Sequence, residues 1–144
     1  LRNIKSHSQF THWWKEMAKV KLLIVHPNTA VREALTTRLG ASHRIEVVGN
    51  VETVTDGLAL QQQVHADEVL LGIPGRKHTQ LDPMTAFIHE MSDQGVPVVV
   101  LAAYMNDVTH HTLLEAGASR YLLKDINTPQ LINELVDASS VSFM

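Results

Sequence analysis

The 144 residues suffice for one domain with a real core and are too few for two of ordinary size, and 44% apolar with 19% charged residues lies well away from the disordered range. A formal net charge of −3 gives no strong field, so composition does not argue for a grip on nucleic acid, and any such role would need another module. The lack of cysteine removes disulfides, thiolate metal sites and thiol nucleophiles together and fits a reducing compartment, with the cytoplasm as the default.

Residues 1–19 read as an N-terminal extension, either disordered or carrying a short helix over Thr11–Ala18 that packs Trp13 or Trp14. Its start, LRNIKSHSQFTHWWKEM, lacks the apolar centre of a signal peptide, and no apolar run in the chain approaches the roughly 18 residues of a membrane span. From Val20 strand and helix signals alternate: KLLIV, TAVREALTTRL, RIEVVGN, TVTDGLALQQQVH and EVLLGI. Val31, Ala34, Leu35 and Leu39 recur at helical spacing, whereas Leu22–Val25 and Val69–Ile73 are short continuous apolar runs suited to strands covered on both faces. The third strand is read as ending on Gly72, followed by a basic loop with Arg76, Lys77 and His78.

The alternation continues with PMTAFIHEM as a helix N-capped by Asp82, VPVVVLAA as a strand and DVTHHTLLEAG as a helix stopped by Gly117. RYLL then reads as a strand and TPQLINELVDA as a helix capped by Asn127 or Thr128, with Pro129 in its first turn. The expected layout over residues 20–138 is (βα)₅, a doubly wound, parallel, five-stranded α/β sheet in a flavodoxin-like three-layer sandwich. Residues 139–144 read as a C-terminal tail or the start of a linker.

In such a sheet, ligands and chemistry gather beyond the carboxyl ends of the strands. The residues leaving the strands are His26, Pro27 and Asn28, then Gly72, then Ala102 and Ala103, then Lys124 and Asp125. For His26 a turn-shaping role is favoured over a pH-sensitive or metal-binding one. His110 and His111 are adjacent on a helix and point about 100° apart, a poor chelate. Gly-Ile-Pro-Gly is no phosphate cradle, and no nucleophile elbow is present.

EAGASRYLLKD (Glu115–Asp125), together with LLIVHPNTAVREAL, HADEVLLGI and VPVVVLAAY in that order and spacing, resembles the receiver domain of bacterial response regulators. The resemblance runs from about Val20 to Ala138 and is strongest to the LuxR/NarL-type branch, whose regulators end in a helix-turn-helix DNA-binding module. It implies a phosphoryl switch of two-component phosphorelays: a carboxylate ending the third strand accepts phosphate, and acids after the first strand hold magnesium. In this chain the acidic pair falls on His26 and Pro27, the acceptor on Gly72 and the phosphoryl-contacting hydroxyl on Ala102. Lys124 remains of the core set, and Tyr121 lies at the family's aromatic switch position.

Acyl-phosphate formation needs an ionised carboxylate nucleophile and a hard oxygen-ligand site for magnesium. The expectation is therefore a degenerate receiver, not an enzyme, with no cofactor, no magnesium and no other metal. It would form no aspartyl phosphate, and its pocket would be a remnant lined by His26, Pro27, Asn28, Gly72, Ala102 and Lys124. The family's homodimerisation face would comprise parts of Asp107–Ala116, Arg120–Leu123 and Pro129–Val136, with Arg120, Tyr121 and Asp125 as its switch and interface residues. DNA would be met only through a module outside these residues. Two alternatives stand beside this: a sensor that binds a small anion or metabolite in the vacated pocket, and a conventional receiver using a substitute acid. Asp67 and Glu68, read as preceding the third strand at the sheet's opposite end, and Asp82 are the nearest such acids.

Overall fold

The alternating runs fold as the sequence pattern demands, because the central apolar runs have both faces covered and the longer amphipathic stretches cover them. The computed structural model describes residues 19–74 and 81–141. The helix expected over Thr11–Ala18, most of the 1–19 extension and the Arg76, Lys77, His78 loop lie outside the described residues. In chain order the elements are β1 (Val20–Val25), α1 (Thr29–Gly40), β2 (Ile45–Val51), α2 (Val54–Val64), β3 (Glu68–Ile73), α3 (Asp82–Asp93), β4 (Val98–Ala102), α4 (Asp107–Ala116), β5 (Arg120–Leu123) and α5 (Thr128–Val141). The strands form one sheet in the order β2-β1-β3-β4-β5, and every pairing is parallel. The order reverses between β1 and β3, which places the exits of those strands side by side.

Strand alternation splits the core in two. Leu23, Val25, Val69, Leu71, Val98 and Val100 pack with Phe87, Ile88, Met91 and Leu113 under α3 and α4. Leu22, Ile24, Leu70, Val99 and Leu101 pack with Leu35, Leu39, Leu131 and Leu135 under α1 and α5. The central β3 is buried at every position. By the same alternation Glu68 and Gly72 share with Leu70 the face turned toward α1 and α5, one at each end of the strand.

Asparagines start three of the helices. Asn28, Asn106 and Asn127 accept the backbone N–H of Val31, Thr109 and Gln130 at 3.0, 3.0 and 2.9 Å, each satisfying a donor that the first helical turn leaves free. Gly117 closes α4 at φ 118°, the left-handed stop its position suggested. Four boundaries differ from the sequence reading. β3 runs one residue past Gly72, because Ile73 still pairs with Ala102 of β4. Glu68 is the first residue of β3, not a residue before it. Asp82 is not the N-cap of α3: Leu81 takes that place in helical conformation with no side-chain bond, and the Asp82 carbonyl accepts the Thr85 hydroxyl instead. Finally, α5 continues to Val141, three residues beyond the boundary expected at 138.

Gln61 sets the entry to β3. Its side chain is buried, its amide donates to the Ala66 carbonyl and its oxygen accepts the Ala66 N–H, both at 3.0 Å, around His65 in left-handed conformation. Gln61→Ala leaves both Ala66 groups unpaired in a buried turn, so a loss of about 2–4 kcal/mol in urea unfolding is expected. A loss below about 1 kcal/mol would show that water replaces both bonds.

Candidate functional site

The space above Gly72 is filled by His26. Gly72 itself is buried, and a Cβ added to it would overlap Cδ2 of the His26 ring and lie 2.7 Å from Cγ and 2.8 Å from Nε2. The imidazole thus stands where any side chain at position 72 would begin. This is a packing reason for glycine at the place where the resemblance puts an acceptor carboxylate.

The position of His26 is over-determined. Its N–H continues the β1–β2 ladder to the Val51 carbonyl at 3.0 Å, and its carbonyl accepts Nη1 of Arg32 at 2.8 Å. Nδ1 accepts the Asn28 N–H at 3.0 Å, which ties the ring to the β1–α1 turn. An accepting Nδ1 leaves the ring proton of the neutral form on Nε2. Burial holds the His26 imidazole below its ordinary range, the positive charges of Arg32 and Lys124 act in the same direction, and the hydrogen bond with the Asn28 backbone opposes them in part. Arg32 was missed by the sequence reading, although it lies one helical turn inside α1. Its Nε also bonds the Asn50 side chain at the end of β2, at 3.1 Å.

The remaining pocket positions fall around this pair. Pro27 and Asn28 are exposed in the β1–α1 turn, where the Asn28 side chain is committed to capping α1. Ala102 is buried at the end of β4, and its carbonyl accepts the Lys124 N–H at 2.8 Å. That bond joins the exits of β4 and β5. Lys124 and Asp125 are exposed in the turn after β5. Among the described residues, no group of three or more His, Cys, Asp or Glu could hold a metal ion.

No family model matches the sequence. A nitrate/nitrite response regulator homologue of Haemophilus influenzae is 26% identical over 117 residues, which cover 81% of this chain and 55% of that protein. A response regulator receiver domain protein of Methanospirillum hungatei superposes with a TM-score of 0.73 at 20% identity, over 88% of this chain and 98% of that one. This is the receiver fold of response regulators. Most of the curated relatives are named as response regulators or transcriptional regulatory proteins. One is a protein-glutamate methylesterase/protein-glutamine glutaminase of Paramagnetospirillum magneticum, 33% identical over 91 residues, covering 62% of this chain and 24% of that protein. The chain spans about half the length of the curated regulators it matches.

On the other expected surface, Tyr121 is half-buried. Its hydroxyl donates to the Tyr104 carbonyl at 3.3 Å, and its ring meets His110 at 4.9 Å between centroids. His110 of α4 thus packs against β5, while its neighbour His111 pairs with Glu115 on the exposed side of α4 at 3.1 Å. Arg120 forks between Glu134 and Asp137 of α5, 2.6 Å from each, and ties β5 to that helix. Tyr104, Met105 and Val108 are exposed beside them.

At the opposite end of the sheet lies a group whose burial the sequence did not reveal. The Glu68 side chain is fully buried, and neither carboxyl oxygen has a hydrogen-bond partner among the described residues. Burial pushes its carboxyl up to about 9, with Asp67 adding to the rise and Arg120 opposing it. The available signal was an acid opening an otherwise apolar strand run. Among the described residues, no helix is long and apolar enough to cross a membrane.

Proposed function

We propose that this chain is an atypical, cytoplasmic receiver that carries a signal by protein–protein contact and not by aspartyl phosphorylation, as the regulatory domain of a transcription regulator. The observation that carries the proposal is the His26 imidazole standing in the volume above Gly72. Phosphoryl transfer needs a nucleophile and an in-line approach to it, and this arrangement supplies a ring where the acceptor would project. The donor set does not fit magnesium either: His26 and Pro27 replace the acids, and the Asn28 oxygen is occupied by the Val31 N–H. No reaction, cofactor or metal is assigned.

The contact surface of this reading is the α4–β5–α5 face, with Tyr121 and Arg120 held in place and Tyr104, Met105 and Val108 offering apolar area for a homodimer. DNA contact belongs to a module outside these residues. An anion in the pocket has Arg32 and Lys124 in its favour, but the imidazole takes the room it needs.

Incubation with a small phosphodonor and magnesium is expected to leave the intact mass unchanged. An added phosphoryl group that survives neutral conditions and is released by hydroxylamine would mean that a substitute acid works, and would end this reading.

A further inference from the structure

We propose that His26 is a proton-operated latch on the space above Gly72: the neutral imidazole closes it, and the imidazolium has to leave. The proposal deepens the functional reading above and rests on it, since it names what governs a pocket that phosphate does not. The ring occupies the volume that a Cβ on Gly72 would take, so its presence or absence decides whether that space exists. Its anchor depends on protonation state. Nδ1 accepts the Asn28 N–H, and an imidazolium, which carries a proton on both nitrogens, would set a second donor against that donor.

The charges that act on the ring among the described residues are both positive: Arg32 from α1 and Lys124 from the turn after β5. A third positive charge beside them is unfavourable at short range. Arg76, Lys77 and His78 follow β3 in sequence and lie outside the described residues. Departure of the ring need not disturb the sheet. The main chain of His26 is held separately, by the Val51 carbonyl and by Arg32, so the side chain can turn about its own bonds while β1 stays paired.

An NMR titration of the whole chain from about pH 8 to 5, following the His26 ring and the amides of Asn28 and Gly72, tests the latch. The His26 ring is expected to titrate below the usual imidazole midpoint of about 6.5, with both amides moving on the same curve. In His26→Gln, and in His26→Phe as a second variant should the first fold poorly, both amides are expected to lose that transition. A ring that titrates at or above about 6.5, a Gly72 amide that does not follow it, or a transition that persists in the variants overturns the proposal. Phosphorylation of the chain would overturn the functional reading while leaving this titration as it is, so the two failures are distinguishable.

Discussion

Replacing Glu68 by methionine is expected to stabilise the protein by about 3 kcal/mol at neutral pH and to remove most of its loss of stability toward alkaline pH. Glu68 is fully buried, neither oxygen is bonded among the described residues, and its carboxyl is raised from 4.5 to about 9. Arg120 is the cation that acts on it, but that guanidinium is engaged with Glu134 and Asp137 at 2.6 Å each. Below pH 4.5 the acid is protonated in both states and costs no ionisation energy. Between 4.5 and about 9 the unfolded chain is ionised and the folded one is not, so folding takes up a proton. Stability then falls by about 1.4 kcal/mol for each unit of rising pH, which amounts to about 3 kcal/mol at pH 7.

Methionine keeps the length of the side chain and removes the charge. Glu68→Gln should flatten the pH dependence without the full gain, because it leaves a buried amide unpaired. Urea unfolding at about pH 5, 7 and 9 checks this, and a methionine variant with the wild-type slope would refute it. His26 acts with the opposite sign. Its imidazole is lowered in the folded protein, so the stability it confers is present above 6.5 and is lost as pH falls below that value. Just below 6.5 the two slopes oppose each other, and above 6.5 that of Glu68 acts without this opposition.

Gly72→Ala is expected to cost about 1–3 kcal/mol, although the new group is a single methyl. The methyl would enter the volume of the His26 ring, which is held through Nδ1 and by a main chain fixed on both sides. His26→Ala should relieve the clash, so that the double variant is more stable than the sum of the single effects by about 0.5–3 kcal/mol. Additive effects in urea unfolding would show that the ring moves aside freely. Gly72→Asp brings the same clash, and steric overlap is its main expected cost, since Arg32 and Lys124 both act on this space. It should remain unphosphorylated while His26 and Pro27 stand in place of the metal-side acids.

The layered fold was legible because its information is local and repeated. Short apolar runs such as KLLIV and EVLLGI, and helical periods such as Val31, Ala34, Leu35 and Leu39, each demand burial on a particular face. Gly117 and Asn127 marked helix ends for the same reason, since caps act within one turn. Asp82 misled because an acid before proline has the chemistry of a cap, but Leu81 is already helical.

The sequence by itself placed His26, Pro27, Gly72, Ala102 and Lys124 at or beside the carboxyl ends of the strands. Only the tertiary structure decided what those substitutions mean to one another. His26 and Gly72 are far apart in the chain and meet because β1 and β3 are neighbours, so their exchange of volume is a property of packing and leaves no local trace. The same holds for Glu68 at the strand's other end. An acid opening a strand looks solvated until the fold closes over it, and burial, not residue type, then sets its charge.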